Sequence, residues 1–312
     1  MAVVGRTAER TRARAAEYGI RPYLSVPEML KHEHPDLVCL CLPNEEHFAP
    51  TLQVIRAGFP LFVEKPLVFD LDEADTLLRE ANKRGLFFGI NFNHRYATPA
   101  RFAAEAIAHG RLGELTFATW RFGGEAGGSL HPDANTIETQ CHGFDMLEHL
   151  CGPVESVMAQ MTSLPGRGAS TVVVALAFAN GAVGSLLGIY DSSYAYAGTH
   201  VLELNGTTGR LTIEDTVRRY TFSRTGSETS EVWQAGYFND VERGFHHTFD
   251  RHFDAVLSSF VAGEEPPVHA RAGLRALQLA HAAIASNAKG VRVPTPVTSS
   301  HSYRDHRDPE SL

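Results

Sequence analysis

Two short stretches carry residue types that could do chemistry. Phe62-Val63-Glu64-Lys65-Pro66 is an apolar run ending in a carboxylate and an ammonium, and Glu138 and His142 stand four residues apart in a stretch of helical periodicity. Oxidising a secondary alcohol needs a group that takes the hydroxyl proton and a donor that steadies the charge growing on oxygen. A partly desolvated lysine at a strand terminus can polarise that oxygen, and a histidine near neutrality can exchange the proton. Glu138, His142, Asp145 and His149 fall at offsets of four, seven and eleven, which puts them on one helix face, with Met146, Leu147 and Leu150 on the other. On spacing alone that face could equally be a solvated surface, and Lys65 an ordinary surface lysine.

The elements that must position these residues come in two patterns. Up to residue 96 short apolar runs at 2–4, 37–42, 61–63 and 86–92 alternate with amphipathic stretches at 8–18, 27–31, 50–57 and 71–84. That alternation predicts a parallel sheet wound with helices. Thr7 and Asp70 are placed as N-caps, Glu73 as the capping-box partner of Asp70, and Gly19, Gly58 and Gly85 as helix stops. Beyond residue 97 a helix at 99–109, a strand at 115–122, a glycine-rich loop through Gly128 and a helix at 137–150 are followed by consecutive strands at 154–161, 170–178, 182–189, 199–205, 210–214 and 217–222. Asn180-Gly181 and Asn205-Gly206 read as turns between them. Helices at 241–261 and 272–288 and a polar tail end the chain. The expected fold class is thus α/β plus α+β. A first domain covers 1–96, a second with an open, mostly antiparallel sheet covers 97–294, and 295–312 is a disordered tail.

A length of 312 residues suits two cores, and 43% hydrophobic with 21% charged residues suits a globular chain with no membrane span. A formal net charge of −8 excludes the electrostatic footprint of a nucleic-acid or anionic-lipid binder. The first residues lack a signal-peptide pattern, which points to the cytoplasm. Cys39 and Cys41, alternating in Leu37-Val38-Cys39-Leu40-Cys41-Leu42, read as reduced thiols in a strand buried on both faces. Cys141, His142, His149 and Cys151 match no zinc spacing, so no metal is expected.

Ligands of wound α/β sheets bind beyond the carboxyl ends of the strands. Here those ends are Gly5-Arg6-Thr7, Pro43-Asn44-Glu45-Glu46-His47, Glu64-Lys65-Pro66 and Asn93-His94-Arg95. His47 could instead cap a helix, and Arg95 could be a substrate anchor or an interdomain ion pair. Arg6, after a small residue, offers positive charge to a 2′-phosphate and favours NADP(H) over NAD(H), or is one more exposed basic residue near Arg10, Arg12 and Arg14.

The order of Pro-Asn-x-x-His, Glu-Lys-Pro, Asn-His-Arg-Tyr, Gly110-Arg111-Leu112-Gly113-Glu114-Leu115 and an acidic residue four before a histidine resembles the Gfo/Idh/MocA oxidoreductases, from Ala2 to about Pro294. The resemblance implies a Rossmann domain and hydride transfer between NAD(P) and a secondary hydroxyl or keto group of a sugar, inositol or related polyol. It implies a second domain that makes homodimer or homotetramer contacts. It gives Lys65 and His142 as catalytic, with Glu138 where the family has an aspartate; Glu138 either orients His142 or binds substrate. Cofactor contacts are expected from Gly5, Arg6, Pro43, Asn44, His47, Glu64, Lys65 and Arg95, and substrate contacts from Lys65, Arg95, Glu138 and His142. The alternative is a catalytically silent relative that serves as a sugar-binding or protein-interaction module.

No glycine-rich turn accompanies the strand at 2–4. The expected first strand, turn and helix, about 30 residues, are not in the sequence, so Met1 is expected to be an internal position of a longer chain. The lack of a central strand would leave its two neighbours ~10 Å apart with unpaired backbone. Gly123-Gly124-Glu125-Ala126-Gly127-Gly128 offers no substitute, since no helix of the right context follows.

Overall fold

The computed structural model describes residues 1–125, 129, 131–162 and 168–295. The chain forms two units. One is Met1–Asn91 with Val256–Leu274, and the other is Phe92–Ala255 with the chain from Arg275 onward.

The first unit runs β1 (Ala2–Val4), α1 (Ala8–Tyr18), β2 (Arg21–Tyr23), α2 (Val26–His32), β3 (Val38–Leu40), α3 (Phe48–Ala57), β4 (Leu61–Val63), α4 (Leu71–Asn82) and β5 (Phe88–Ile90). The parallel pairing of β3, β4 and β5 is the kind the apolar runs predict, whereas β2, which pairs with β1, lies in none of those runs. Asp70 caps α4 by accepting from the Glu73 N–H at 3.0 Å, and Gly19 and Gly58 end α1 and α3 in the left-handed conformation. β4 is buried at all three residues, and the inner positions of α3 and α4, among them Val54, Ile55, Leu77 and Leu78, are buried as well. Among the described residues these strands form two parallel sheets, β1–β2 and β3–β4–β5, with no pair joining them. β1 and β3 therefore each pair on one side only.

Two expectations are corrected here. Cys39 and Cys41 are exposed, not core, because β3 is an edge strand whose Val38 and Leu40 face is covered and whose cysteine face is not. The segment Val256–Leu274 joins the first unit, whereas the sequence reading ran the second domain unbroken to 294. Its Val268 carbonyl accepts from the Ile90 N–H at 3.0 Å, and its Ala270 N–H donates to Phe88 at 2.8 Å.

The second unit adds α5 (Thr98–Ala108), β6 (Leu115–Gly123), α6 (Cys141–Cys151), β7 (Val154–Met161), β8 (Thr171–Phe178), β9 (Val183–Ile189), β10 (Val201–Gly206), β11 (Gly209–Glu214), β12 (Arg219–Arg224), β13 (Ser230–Gln234), α7 (Asp240–Arg243), β14 (Val293–Pro294) and the parts outside Val256–Leu274 of α8 (His247–Ala262) and α9 (Arg271–Lys289). Its nine-stranded sheet is ordered β13-β12-β11-β10-β6-β9-β8-β7-β14 and is open and mostly antiparallel, β6 and β9 being parallel. Burial alternates strictly along β8, β10 and β11, so one face meets the helices: α6 packs on β6, and α5 on β11 and β12. Asn180-Gly181 makes the β8–β9 turn, with Gly181 at φ 88°. The β10–β11 turn falls at Thr207-Thr208 instead of Asn205-Gly206; Gly206 lies inside β10, where a Cβ would come within 2.2 Å of the Leu112 carbonyl.

The single helix expected over 241–261 is two, because the backbone leaves helical geometry at Gly244 (ψ 111°). The short strands β2 and β14 carry too few residues to show a period of two, and β13 is exposed at four of its five positions and so shows no buried alternation. Thr295 is anchored through its N–H to Glu155 and its hydroxyl to Val154. The remainder of the expected tail, 296–312, lies outside the described residues, as do Ala126, Gly127 and Gly128 of the glycine-rich loop.

Candidate active site

In the first unit, the loops after β1, β3, β4 and β5 are tied into one rim. Arg6 donates to Glu46 at 2.6 Å, which joins the end of β1 to the loop after β3. The buried His47 ring spans the Pro66 carbonyl, 2.7 Å from Nδ1, and the Leu42 carbonyl, 3.0 Å from Nε2. It makes no side-chain cap bond, which corrects the capping alternative. Asn91 donates to Glu64 at 2.7 Å, fixing the carboxylate beside Lys65. Lys65 is half-buried and joined to Pro66 by a cis peptide bond. Gly5 is needed at its place, since a Cβ would come within 2.4 Å of the Thr11 hydroxyl in the first turn of α1.

The rim suits a nicotinamide dinucleotide. Half-buried Asn44, Glu64 and Lys65 offer donors and an acceptor at the carboxyl ends of parallel strands, where such ligands bind. Pro43 and Arg6 stand exposed at the outer part of the rim.

In the second unit, His142 lies in the first turn of α6, only 7% exposed. Glu138 belongs to a preceding π-helical turn, Asn135–Thr139, so the continuous α-helix expected over 137–150 is corrected. The wider turn alters the offset between Glu138 and His142, and such turns often mark functional positions. It is built on buried amides. Asn135 donates to the Ser170 and Gly188 carbonyls at 2.8 and 3.1 Å, while Gln140 donates to Asn135 and Phe122 and accepts from the Trp120 indole. Thr139 pairs with the Tyr190 hydroxyl at 2.5 Å. The polar face expected on α6 is buried too: Asp145 is 5% exposed.

Arg95 meets Asp145 side-on, Nε to Oδ2 at 2.8 Å and Nη2 to Oδ1 at 2.6 Å. Both residues belong to the second unit, so this is not an interdomain pair. Burial pushes the Asp145 carboxyl up and the Arg95 guanidinium pulls it back. The Asn93–Tyr96 turn carries His94 onto His142, ring centroids 4.1 Å apart and planes 11° from parallel. Sequence reasoning named His94 only as part of a motif and gave Asn91, Asn135, Gln140 and His200 no role. Lone amides and histidines carry no periodic signal until the fold brings them together.

No helix among the described residues is long and apolar enough to cross a membrane, and no group of three or more His, Cys, Asp or Glu among them could hold a metal ion.

Residues 1–92 match the Oxidoreductase family, NAD-binding Rossmann fold, and residues 99–295 match its C-terminal alpha/beta domain. The chain is 28% identical over 230 residues to 1,5-anhydro-D-fructose reductase of Ensifer adhaerens, covering 68% of this chain and 67% of that one. It is 25% identical over 287 residues to myo-inositol 2-dehydrogenase of Thermotoga maritima, covering 88% and 84%. In fold it is similar to levoglucosan dehydrogenase in complex with NADH and levoglucosan, with a TM-score of 0.85 at 16% identity over 95% of this chain and 90% of that one. The WlbA dehydrogenase of Bordetella pertussis, in complex with NADH and UDP-GlcNAcA, gives 0.79 at 22% identity over 96% and 90%. With both halves matched in order, the chain belongs to the Gfo/Idh/MocA family of NAD-binding oxidoreductases.

Proposed function

We propose that the protein passes hydride between a nicotinamide cofactor and a secondary hydroxyl or keto carbon of a sugar, inositol or related polyol. When bound, the nicotinamide ring accepts or returns the hydride. Lys65 donates a hydrogen bond to the substrate oxygen and steadies its negative charge, and His142 takes or returns the hydroxyl proton. Glu138 orients the substrate or the His142 ring. Arg95 acts through Asp145, one turn beyond His142, instead of touching cofactor or substrate. The observation that carries the reading is the placement of Lys65 at the carboxyl end of a buried parallel strand, in a turn fixed by His47 on one side and by Asn91 through Glu64 on the other. The names of the relatives, a sugar reductase and an inositol dehydrogenase, support the substrate class.

Gly5, Pro43, Asn44 and Glu64 line the cofactor side. The Glu46 carboxylate on Arg6 supports NAD(H) over NADP(H), against the preference read from Arg6 alone, because it neutralises the charge a 2′-phosphate would seek. A homo-oligomer through the open sheet face is supported by Met158 and Val173, exposed on neighbouring strands of that face.

The test is turnover of a panel of inositols and sugars with NAD⁺, and of the corresponding ketones with NADH, before and after Lys65→Ala. Loss of at least about a hundredfold in kcat with unchanged thermal unfolding is expected. Undiminished turnover would sink the assignment, and absence of turnover on the whole panel despite tight NADH binding would favour a silent sugar-binding relative.

A further inference from the structure

Behind His142 stands a column of rings that the proposed chemistry does not use. His94 covers one face of the His142 imidazole, and Phe92 and Phe122 meet it edge-on at 6.0 and 6.4 Å. His94 is itself only 2% exposed. It is walled by Phe122 and Phe245, each edge-on at 5.5 Å, and by His200 at 5.6 Å. His200 is held at Nδ1 by the Thr216 hydroxyl at 2.5 Å, and burial pushes its proton affinity down to about 3, so it is neutral near pH 7.

The stack is fixed at its base as well. Asn93, one residue before His94, donates to the buried Thr248 hydroxyl at 2.7 Å. Arg95, one residue after, grips Asp145, three residues beyond His142 on α6. The turn bearing one ring and the helix bearing the other are thus clamped together next to the stack.

We propose that His94 is a positioning residue for His142: its stacked ring fixes the plane of the His142 imidazole and limits the two rings to a single proton. This rests on the reading of His142 as the group that exchanges the substrate proton. Two positive charges about 4 Å apart in a protein interior repel strongly enough to separate first and second protonation by roughly three pH units. Other titratable and charged groups on the elements that carry the pair are Asp145 and Arg95, bonded to each other, Cys141 next to His142 and Glu138 in the π-helical turn, with His200 against His94. The stack thereby admits one proton and excludes a second, whichever ring carries the first.

The test combines titration and kinetics. With histidine labelled at Cε1, NMR of the wild-type protein between pH 8 and 5 is expected to show one imidazole of the pair charging and the other staying neutral; both charging together near the usual histidine range overturns the proposal. His94→Ala is expected to lower kcat about tenfold or more with KM within threefold, and His94→Phe, which restores a ring, to recover most of that loss. Full activity of His94→Ala, or failure of His94→Phe to recover any, overturns the positioning role. His142→Ala isolates the underlying reading. If it turns over like wild type, His142 is not the proton exchanger, while the titration still reports on the pair.

Discussion

A Cβ on Gly143 would lie 2.5 Å from Nε1 of Trp120 and 2.8 Å from Cδ1 of Leu186. The helix that carries His142 therefore crosses β6 at a point where only hydrogen fits. Gly143→Ala should raise intrinsic helix propensity by up to about 1 kcal/mol and still destabilise the protein by roughly 1–2 kcal/mol through overpacking. Urea unfolding would show a lower midpoint with unchanged slope, and kcat should fall more than stability does because His142 is the adjacent residue. A stabilised and fully active variant would mean that the helix can lift off the sheet at no cost.

Arg95 and Asp145 form a buried pair with side chains 9% and 2% exposed. Removing one partner strands the other charge, so Arg95→Met should lower unfolding free energy by about 3–5 kcal/mol, and Arg95→Met with Asp145→Leu should recover much of it. A double variant as unstable as the single one would show that the pair is held for packing and not for charge.

Glu46 lies on Arg6 at the outer rim of the nucleotide-binding unit, both side chains about half exposed or more. Glu46→Gln should free the guanidinium and improve the ratio of kcat/KM for NADP⁺ over NAD⁺ by about five- to tenfold, the worth of one surface charge near a phosphate. An unchanged ratio would remove Arg6 from cofactor selection.

Three histidines, His200 and His252 buried and His269 half-buried, resist protonation: burial lowers His200 and His252 to about 3 and His269 to about 4. Each has a folded value below its unfolded one near 6.5, so the unfolded chain binds more protons as pH falls through that value. Their contribution is full above about pH 6.5 and is lost progressively toward pH 3, at roughly 1.4 kcal/mol per pH unit for each. Unfolding free energy measured from pH 7 to 4.5 should decline steeply, and His200→Asn should flatten the decline by about one proton. Stability independent of pH over that range would contradict the burial of these rings.

Elements marked by helical periodicity, by an unbroken apolar run or by a cap were readable in the sequence. The helix over Ala8–Tyr18 with its Gly19 stop, the strand Leu61–Val63 and the Asp70 cap of α4 stand where the residue pattern puts them, whereas Thr7 precedes α1 without making a side-chain cap bond. What pattern could not show was pairing. The exposure of Cys39 follows from β3 having one neighbour, which no alternation within 37–42 reveals. The π-helical turn before His142 depends on Asn135 reaching carbonyls of two distant strands. The family motif located His94 and Arg95, but that one stacks on His142 and the other clasps Asp145 is a property of packing.

The return of Val256–Leu274 to the first unit sets an order of events during synthesis. β5 is complete once Ile90 has been made, yet the backbone that bonds to it, at Val268 and Ala270, is translated roughly 180 residues later, some ten to forty seconds at 5–20 residues per second. Gly273, whose Cβ would strike Ile90 and Leu67, arrives later still. The first unit thus waits, partly uncovered, while eight of the nine strands of the large sheet, β6 to β13, are made between its two pieces.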